Sequence, residues 1–557
     1  MTEISGVGVS PGRTVGPVVR MPDPVPEPSA EARLPGESDR DEAAARIGKA
    51  AEEVRADLDR RAAKAEGDGK AVLEATALMA ADPTLVKSAA KRVTGQGAAP
   101  ERAVWDAAAE VAAMLESLGG YMAERARDVA DVRDRLVAEL TGRPAPGVPT
   151  RDEPFVLVAH DLAPADTATL DPALVLALVT AEGGPTSHTA ILARALGLPA
   201  VVAATGVLDI DEGTTVLVDG AAGTILLDPS AEQVEKVKAI AAREHTFDGR
   251  GRTADGREVL LLANVGDPKG AAAAAAAGAQ GVGLFRTEFC FLDRSEAPSI
   301  DEQVESYRTV LQAFPGKKVV VRTLDAGADK PLPFLTNTDE ANPALGVRGI
   351  RTSGRSPQVL EDQLEAIARA AQQAEADVWV MAPMIATTDE AEAFVERCAA
   401  HGLGTAGVMV EVPSAALCAD SVLAVAHFAS IGTNDLTQYA LAADRLMGEL
   451  ATLNDPWQPG VLRLVRATCD GAAPYSRPVG VCGEAAADPA LACVLVGLGV
   501  SSLSMTPRAL ADVAEVLAAT PYDTCVRLAA AAADARTAAE GRAAVRAELP
   551  VLEELGL

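Results

Sequence analysis

Two sets of side chains in this sequence have types and spacings that can do chemistry. The first is compact: in GGPTSHTAILAR, residues 183–194, two glycines permit a tight turn, Thr186 or Ser187 can cap a following helix, and His188 falls in its first turn. Free backbone N–H groups and the positive end of the helix favour an anion there. The same field keeps an unmodified imidazole neutral and nucleophilic, so a phosphoryl group carried on His188 would be well received. A lone histidine more often only caps or packs, and the surrounding motif is what argues otherwise. The second set is dispersed: Arg286, Arg322, Arg348, Glu411, Asn434, Asp435, Arg445 and Cys482. The arginines offer forked donors that match a phosphate or carboxylate in two places, which points to a small dianion or trianion. Glu411 and Asp435 are hard oxygen donors, too few for a calcium cage but suited to Mg²⁺ completed by water and ligand oxygens; each alone could equally be a salt-bridge partner of an arginine. A thiol beside such a site can exchange a proton at carbon, whereas the other six cysteines read as small buried hydrophobes.

These residues need a scaffold that gathers them. From residue 258, apolar strand-like runs recur at 258–264, 281–285, 318–324, 378–384, 407–412, 427–434, 478–483 and 500–505, each followed by a helical pattern or a long loop. Eight such units predict a (β/α)8 barrel, in which chemistry collects where strands end. Arg286 follows the second run, Arg322 ends the third and Glu411 the fifth. Asn434 and Asp435 close the sixth, and Cys482 the seventh. A charge at a buried strand end is costly unless paired or bound, so this convergence is read as a site.

Upstream, residues 1–27 read as strands and turns, and about 29–140 as helices rich in Ala, Glu, Arg and Asp. Residues 153–228 return to β/α texture. The two β-containing stretches resemble each other more than the helices between them. The predicted domains are therefore 1–28 with 145–228 as one β/α domain, 29–144 as a helical insertion, 229–250 as a linker helix, and 251–557 as the barrel. The apolar segment Leu73 to Leu85 reads first as interhelical core.

Acidic side chains outnumber basic ones by 79 to 50, giving −29 spread along the chain, which argues against a nonspecific hold on nucleic acid or an anionic bilayer. No apolar run approaches a bilayer span, and the first residues show no signal-peptide pattern, so no membrane insertion and a cytoplasmic location are expected. The seven cysteines, at 290, 398, 418, 469, 482, 493 and 525, contain no CxxC pair and are expected as free thiols.

Taken together, GGPTSHTAILAR, GLFRTEF, VRTLDAGADK, NPALGVRGIR, VMVEVPSA, SIGTNDLTQYALAADR and GVCGE resemble the Enzyme I family of bacterial sugar phosphotransferase systems, and the resemblance runs nearly end to end. It implies an α/β multidomain chain: a swivelling phosphohistidine domain, an inserted helical domain that docks the carrier protein HPr, and a barrel that binds phosphoenolpyruvate and forms a homodimer. It further implies that His188 attacks phosphorus and that Arg286, Arg322, Asn434 and Arg445, with Asp435 and Arg348 beside them, hold phosphoenolpyruvate. Glu411 and Asp435 would hold Mg²⁺, and Cys482 would protonate the enolate to pyruvate. Leu78 and Met79 are carried over to the HPr interface. Pyruvate phosphate dikinase and phosphoenolpyruvate synthase share two of these modules but add an ATP-binding domain for which this chain has no room. Pro185 departs from the basic residue many members carry, leaving the loop before His188 stiffer and less positive. A non-catalytic scaffold would be expected to lack one of the key residues, and none is missing. A barrel aldolase would leave His188 and the helical insertion unused.

Overall fold

The computed structural model describes the chain except residues 1, 11, 23–24, 35, 37–38, 64–66, 119, 150, 163–169, 172, 185–186, 242–246, 293, 327–331, 337–339, 341, 446, 448–449 and 451, and except the side chains of 67–72, 116–118, 120–127, 188, 191, 194–195 and 241. It divides into two compact units, Met1–Ala241 and Ala242–Leu557.

The first unit is built on one mixed sheet. Strands β1 (Glu3–Ser5), β2 (Val7–Ser10) and β3 (Arg13–Arg20) join β4 (Phe155–Ala159), β5 (Val175–Thr180), β6 (Ala200–Val202), β7 (Thr215–Asp219) and β8 (Thr224–Leu227). Their order is β1-β8-β7-β3-β4-β5-β6-β2. The parallel pairing of β3 with β4, Val18 opposite Val156, brings the start of the chain beside residues that follow the helical block. Between these strands lie α1 (Arg40–Ala62), α2 (Gly67–Ala80), α3 (Pro83–Gln96), α4 (Pro100–Leu118) and α5 (Gly120–Thr141). They pack on a core of their own that includes Ile47, Leu58, Leu73, Ala77, Leu85, Val93, Val132 and Leu136. Apolar positions spaced at helical period bury one stripe of each helix, while i,i+4 pairs such as Arg61 with Asp57 occupy the outer faces. The helix expected across 229–250 is Ala231–Ala241. Residues 247–250 are not helical: Gly249 takes φ 77°, and Asp248 accepts from the Arg250 N–H at 2.9 Å, a turn that a helix cannot continue through.

The second unit is a closed barrel of eight parallel strands, β9 (Leu260–Val265), β10 (Gly281–Arg286), β11 (Lys318–Arg322), β12 (Asp377–Ala382), β13 (Ala406–Val410), β14 (Ala429–Gly432), β15 (Val479–Cys482) and β16 (Ser502–Met505), with β16 pairing back to β9. The eight predicted runs correspond to these eight strands. Short Val-, Leu- and Ile-rich strands buried on both faces suit a parallel sheet enclosed by helices. Leu284, Val320, Met381, Met409, Phe428 and Cys482 fill the barrel, so it has a packed core and no pore. The alanine run at 271–277 begins within helix Pro268–Ala276, where Ala271 and Ala274 are buried, and Asp267 caps that helix through the Gly270 N–H at 2.8 Å. Among the described residues no helix is long and apolar enough to cross a membrane.

Candidate active site at the carboxyl end of the barrel

The strand ends deliver the dispersed residues to one place. Arg286 is the last residue of β10, Arg322 of β11 and Cys482 of β15, and Glu411 directly follows β13. Asn434 and Asp435 lie in the first turn of helix Thr433–Leu441, which starts immediately after β14, so they are helical residues rather than the close of a strand as the sequence predicted. Gly432 ends β14 against Glu411: a Cβ there would lie 2.7 Å from the Glu411 Cγ, so a larger residue would displace that carboxylate.

A chain of ion pairs crosses the barrel mouth. Arg322 bonds Glu288 at 2.8 Å and meets Asp325 at 3.3 Å. Arg348 bridges Asp325 at 3.1 Å and Asp435 at 3.0 Å, and Arg445 reaches Asp435 at 3.5 Å. Arg286 makes no hydrogen bond or ion pair among the described residues, and it is exposed. Pairing within the network is incomplete even where it is buried: Arg322 Nε, Arg348 Nε, Asp325 Oδ1 and Thr433 Oγ1 have no hydrogen-bond partner. Buried polar atoms left without partners are expensive in a folded protein; others lie scattered elsewhere among the described residues, but the barrel mouth brings four together, where one ligand would meet several at once.

The electrostatics are uneven. Burial opposes the charges on Arg322 and Arg348, but the surrounding carboxylates outweigh it, and both guanidinium groups are held above their ordinary pKa. Burial likewise opposes ionisation of Asp325, and Arg322 and Arg348 outweigh it to keep that carboxyl low. Glu411 goes the other way, pushed up to about 8 by burial first and then by Asp435 and Asp325, against the help of Arg322 and the Met384 N–H. That N–H donates to Glu411 Oε2 at 2.8 Å from a residue held at φ 59°, a strained conformation for a non-glycine. Among the described residues no cluster of three or more His, Cys, Asp or Glu side chains is arranged to hold a metal. The carboxylate pair Glu411 and Asp435, the first with its charge only partly offset by Arg322, fits a hard cation whose remaining ligands come from water and substrate oxygens. Cys482 is buried, pushed up to about 11 chiefly by that burial, and so remains a protonated thiol; Ser430 Oγ donates to its sulfur at 3.0 Å.

His188 belongs to the other unit and opens helix His188–Leu196; its side chain lies outside the described residues. Gly183 adopts φ 94°, and Ser187 Oγ accepts from the Ala190 N–H at 3.3 Å, so Ser187 caps the helix. Pro185 and Thr186 lie outside the described residues. Thr189 donates to Asp161 at 3.0 Å and ties the helix start to the segment after β4. In the helical insertion Leu78 is 67% exposed, whereas Met79 packs against the core. Of those two, only Leu78 offers a wholly exposed apolar surface. Cys418 is exposed rather than buried, while all seven thiols are free.

Glu288, Asp325, Ser430 and the Met384 N–H carry much of this arrangement without having been singled out in the sequence. Glu288 and Asp325 stood two and three residues past the arginines, within GLFRTEF and RTLDAGADK, and that proximity was the available signal. The Met384 contribution is a backbone group and leaves no sequence trace.

Comparison with known proteins gives a consistent picture. Family models for the N-terminal, mobile and PEP-binding domains of PEP-utilising enzymes match residues 5–125, 151–223 and 241–521. A phosphoenolpyruvate-protein phosphotransferase from Streptomyces coelicolor is 53% identical over 98% of this chain and 99% of its own length. One from Haloferax volcanii is 41% identical over 95% of this chain and 97% of its own. An NMR solution structure of an Enzyme I protein aligns with 42% of this chain and 97% of that one at 32% identity, with a TM-score of 0.38. The chain belongs to the PEP-utilising enzymes and, within them, to the phosphoenolpyruvate-protein phosphotransferase family.

Proposed function

We propose that the protein moves the phosphoryl group of phosphoenolpyruvate to His188 and then to a histidine of the carrier HPr, releasing pyruvate as the first step of sugar uptake by the phosphotransferase system. The observation that carries this reading is the barrel mouth, where Arg286 has no partner among the described residues and the buried Nε atoms of Arg322 and Arg348 are unsatisfied. An anion with several oxygens would complete these groups, and phosphoenolpyruvate carries both a phosphoryl and a carboxylate group. Arg286, Arg322, Arg348, Asn434 and Arg445 bind and orient it. Glu411 and Asp435 would hold Mg²⁺, which when bound supplies positive charge to the phosphoryl oxygens. The imidazole of His188 attacks phosphorus, the bond from phosphorus to the enol oxygen breaks, and the enolate departs with the electron pair. Cys482, kept protonated by burial, gives its proton to the enolate carbon to yield pyruvate. Such transfer needs positioning and charge stabilisation more than covalent help.

In the same reading, 1–28 with 145–228 form the phosphohistidine domain, which swivels between its two tasks. Residues 29–144 dock HPr, with Leu78 at the contact, 229–250 link the units, and 251–557 bind substrate and dimerise. The experiment is incubation with labelled phosphoenolpyruvate and Mg²⁺. It is expected to give an acid-labile, base-stable phosphoprotein that His188→Ala abolishes. Label persisting in that variant would overturn the assignment.

A further inference from the structure

Behind the strand ends lies a polar network that the proposed mechanism does not use. Gln363, on helix Pro357–Ala371, is completely buried, as is Thr287, and its amide is fully engaged. Its Oε1 accepts from the Leu324 N–H at 2.8 Å, and its Nε2 donates to Thr287 Oγ1 at 3.0 Å and to the Tyr307 hydroxyl at 3.0 Å. Thr287 Oγ1 in turn donates to the Arg322 carbonyl at 2.8 Å. On the outer side, Tyr307 donates to Gln303 Oε1 at 3.0 Å, and Gln303 donates to the Pro298 carbonyl at 3.1 Å.

Every proton in this chain has a determined sense. The Leu324 amide can only donate, and the Arg322 and Pro298 carbonyls can only accept. With those ends fixed, the Thr287 hydroxyl must give its proton to Arg322 and receive from Gln363. Tyr307 must give to Gln303 and also receive from Gln363. A group of Gln shape with one acceptor and two donor positions satisfies all three contacts, and a carboxylate does not.

The location is what matters. Beyond Arg322 the chain leaves the barrel ladder, and the next three residues carry it to Asp325, the partner of both Arg322 and Arg348. Gln363 grips this departing segment at Leu324 and reaches Arg322 through Thr287. Glu288, next to Thr287, receives from the Asp325 N–H at 3.0 Å and from Arg322 at 2.8 Å. Strand β10, strand β11 and helix Pro357–Ala371 therefore meet at a single amide.

We propose that Gln363 is a positioning residue for phosphoryl transfer, holding the ends of β10 and β11 so that Arg322 and Asp325 keep the spacing the substrate requires; this rests on the function proposed above. It touches no substrate and acts through Thr287 and the Leu324 amide.

The test uses the full chain, measuring label transfer from phosphoenolpyruvate together with thermal midpoints. Gln363→Leu keeps the volume roughly and removes the bonds. It is expected to lower kcat/KM by about a hundredfold, the scale of a 1 Å misplacement of reacting groups. Thr287→Val, which removes the hydroxyl that reaches Arg322, should give a loss of similar size, and Thr287→Ser should restore activity. Tyr307→Phe removes only the outer arm. It should lower the thermal midpoint as Gln363→Leu does while changing kcat/KM by less than about threefold, since the inner bonds remain. Folded Gln363→Leu or Thr287→Val with kcat/KM near wild type would overturn the proposal. So would a Tyr307→Phe variant as impaired in turnover as Gln363→Leu, because the network would then be acting through stability alone. If Gln363→Leu does not fold, the Thr287 pair decides. Wild-type protein that takes no label would count against the proposed function itself, a result distinct from any pattern among these variants.

Discussion

The two mouths of the barrel are made from the same eight strands and are treated in opposite ways. At the amino end Lys318, the first residue of β11, lies 3.6 Å from the ring centre of Trp379 and 5.6 Å from that of Phe428. Asp377, which starts β12, accepts from the Trp379 indole N–H at 2.9 Å. One cation thus lies over two aromatic rings, with the Asp377 carboxylate favouring its charge from nearby, and none of these four side chains has a buried unpartnered polar atom. At the carboxyl end, arginines and carboxylates are packed as closely, yet guanidinium, carboxylate and hydroxyl atoms are left unmatched, and Arg322 and the Met384 N–H only partly offset the burial of Glu411 beside Asp435 and Asp325. On the function proposed above, the difference separates a plug from a site. Both are polar clusters at strand ends, and of the two only the carboxyl one holds buried polar atoms without a partner.

Three experiments press on this contrast. The largest effect is expected from truncating the incomplete mouth. Arg322→Ala should cut phosphoryl transfer by two orders of magnitude or more, because a charge-assisted donor in a buried site contributes about 3 kcal/mol, and Arg286→Ala should do the same once bound substrate covers its exposed guanidinium. Losses under about tenfold in label transfer would mean that the anion binds elsewhere.

An intermediate effect is expected in stability against pH, without added cation. Glu411, pushed up to about 8, keeps its proton in the folded state over a range where the unfolded chain has lost it. Its contribution therefore falls as pH rises from the ordinary carboxyl range to about 8, then levels. Lys318 is pushed down to about 8, by burial against the pull of Asp377, and is neutral in the folded state where the unfolded chain stays protonated. Its contribution is lost as pH falls from the ordinary lysine range toward 8, so its slope has the opposite sign above 8. Glu411→Gln should flatten the lower limb of a thermal-midpoint profile and Lys318→Met the upper one. An unchanged lower limb in Glu411→Gln would remove the partly compensated carboxylate from the contrast.

The smallest effect tests the plug. Lys318→Met should leave turnover within about twofold and shift stability by about 1 kcal/mol, the worth of a partly buried cation-π contact. A large loss of turnover would show that the amino end takes part in the chemistry.

Much of the architecture was legible because the barrel strands are short apolar runs at regular spacing, and a parallel strand buried on both faces must be apolar throughout. The same regularity made Arg286, Arg322, Glu411 and Cys482 conspicuous, as polar residues ending apolar runs. The sixth run, 427–434, reads as strand as far as Asn434 with Asp435 closing it, whereas β14 ends at Gly432, because the switch to helix occurs within one residue and no proline or glycine follows Gly432 to mark it. The linker helix predicted across 229–250 does not include 247–250, where Asp248 and Gly249 form a turn.

Residue type and order by themselves determined which groups are available: a histidine at a helix start, arginines and carboxylates at strand ends, and a thiol beside them. They did so because hydrophobic periodicity is written locally and a polar residue that interrupts it is visible in one dimension. Which arginine pairs with which carboxylate, which of their atoms remain unsatisfied, and that Gln363 closes its bonds with Thr287, Leu324 and Tyr307 were decided only by the tertiary structure. Hydrogen bonds depend on distances between residues far apart in the chain, and a helical Gln carries no local sign of the three partners that folding brings to it.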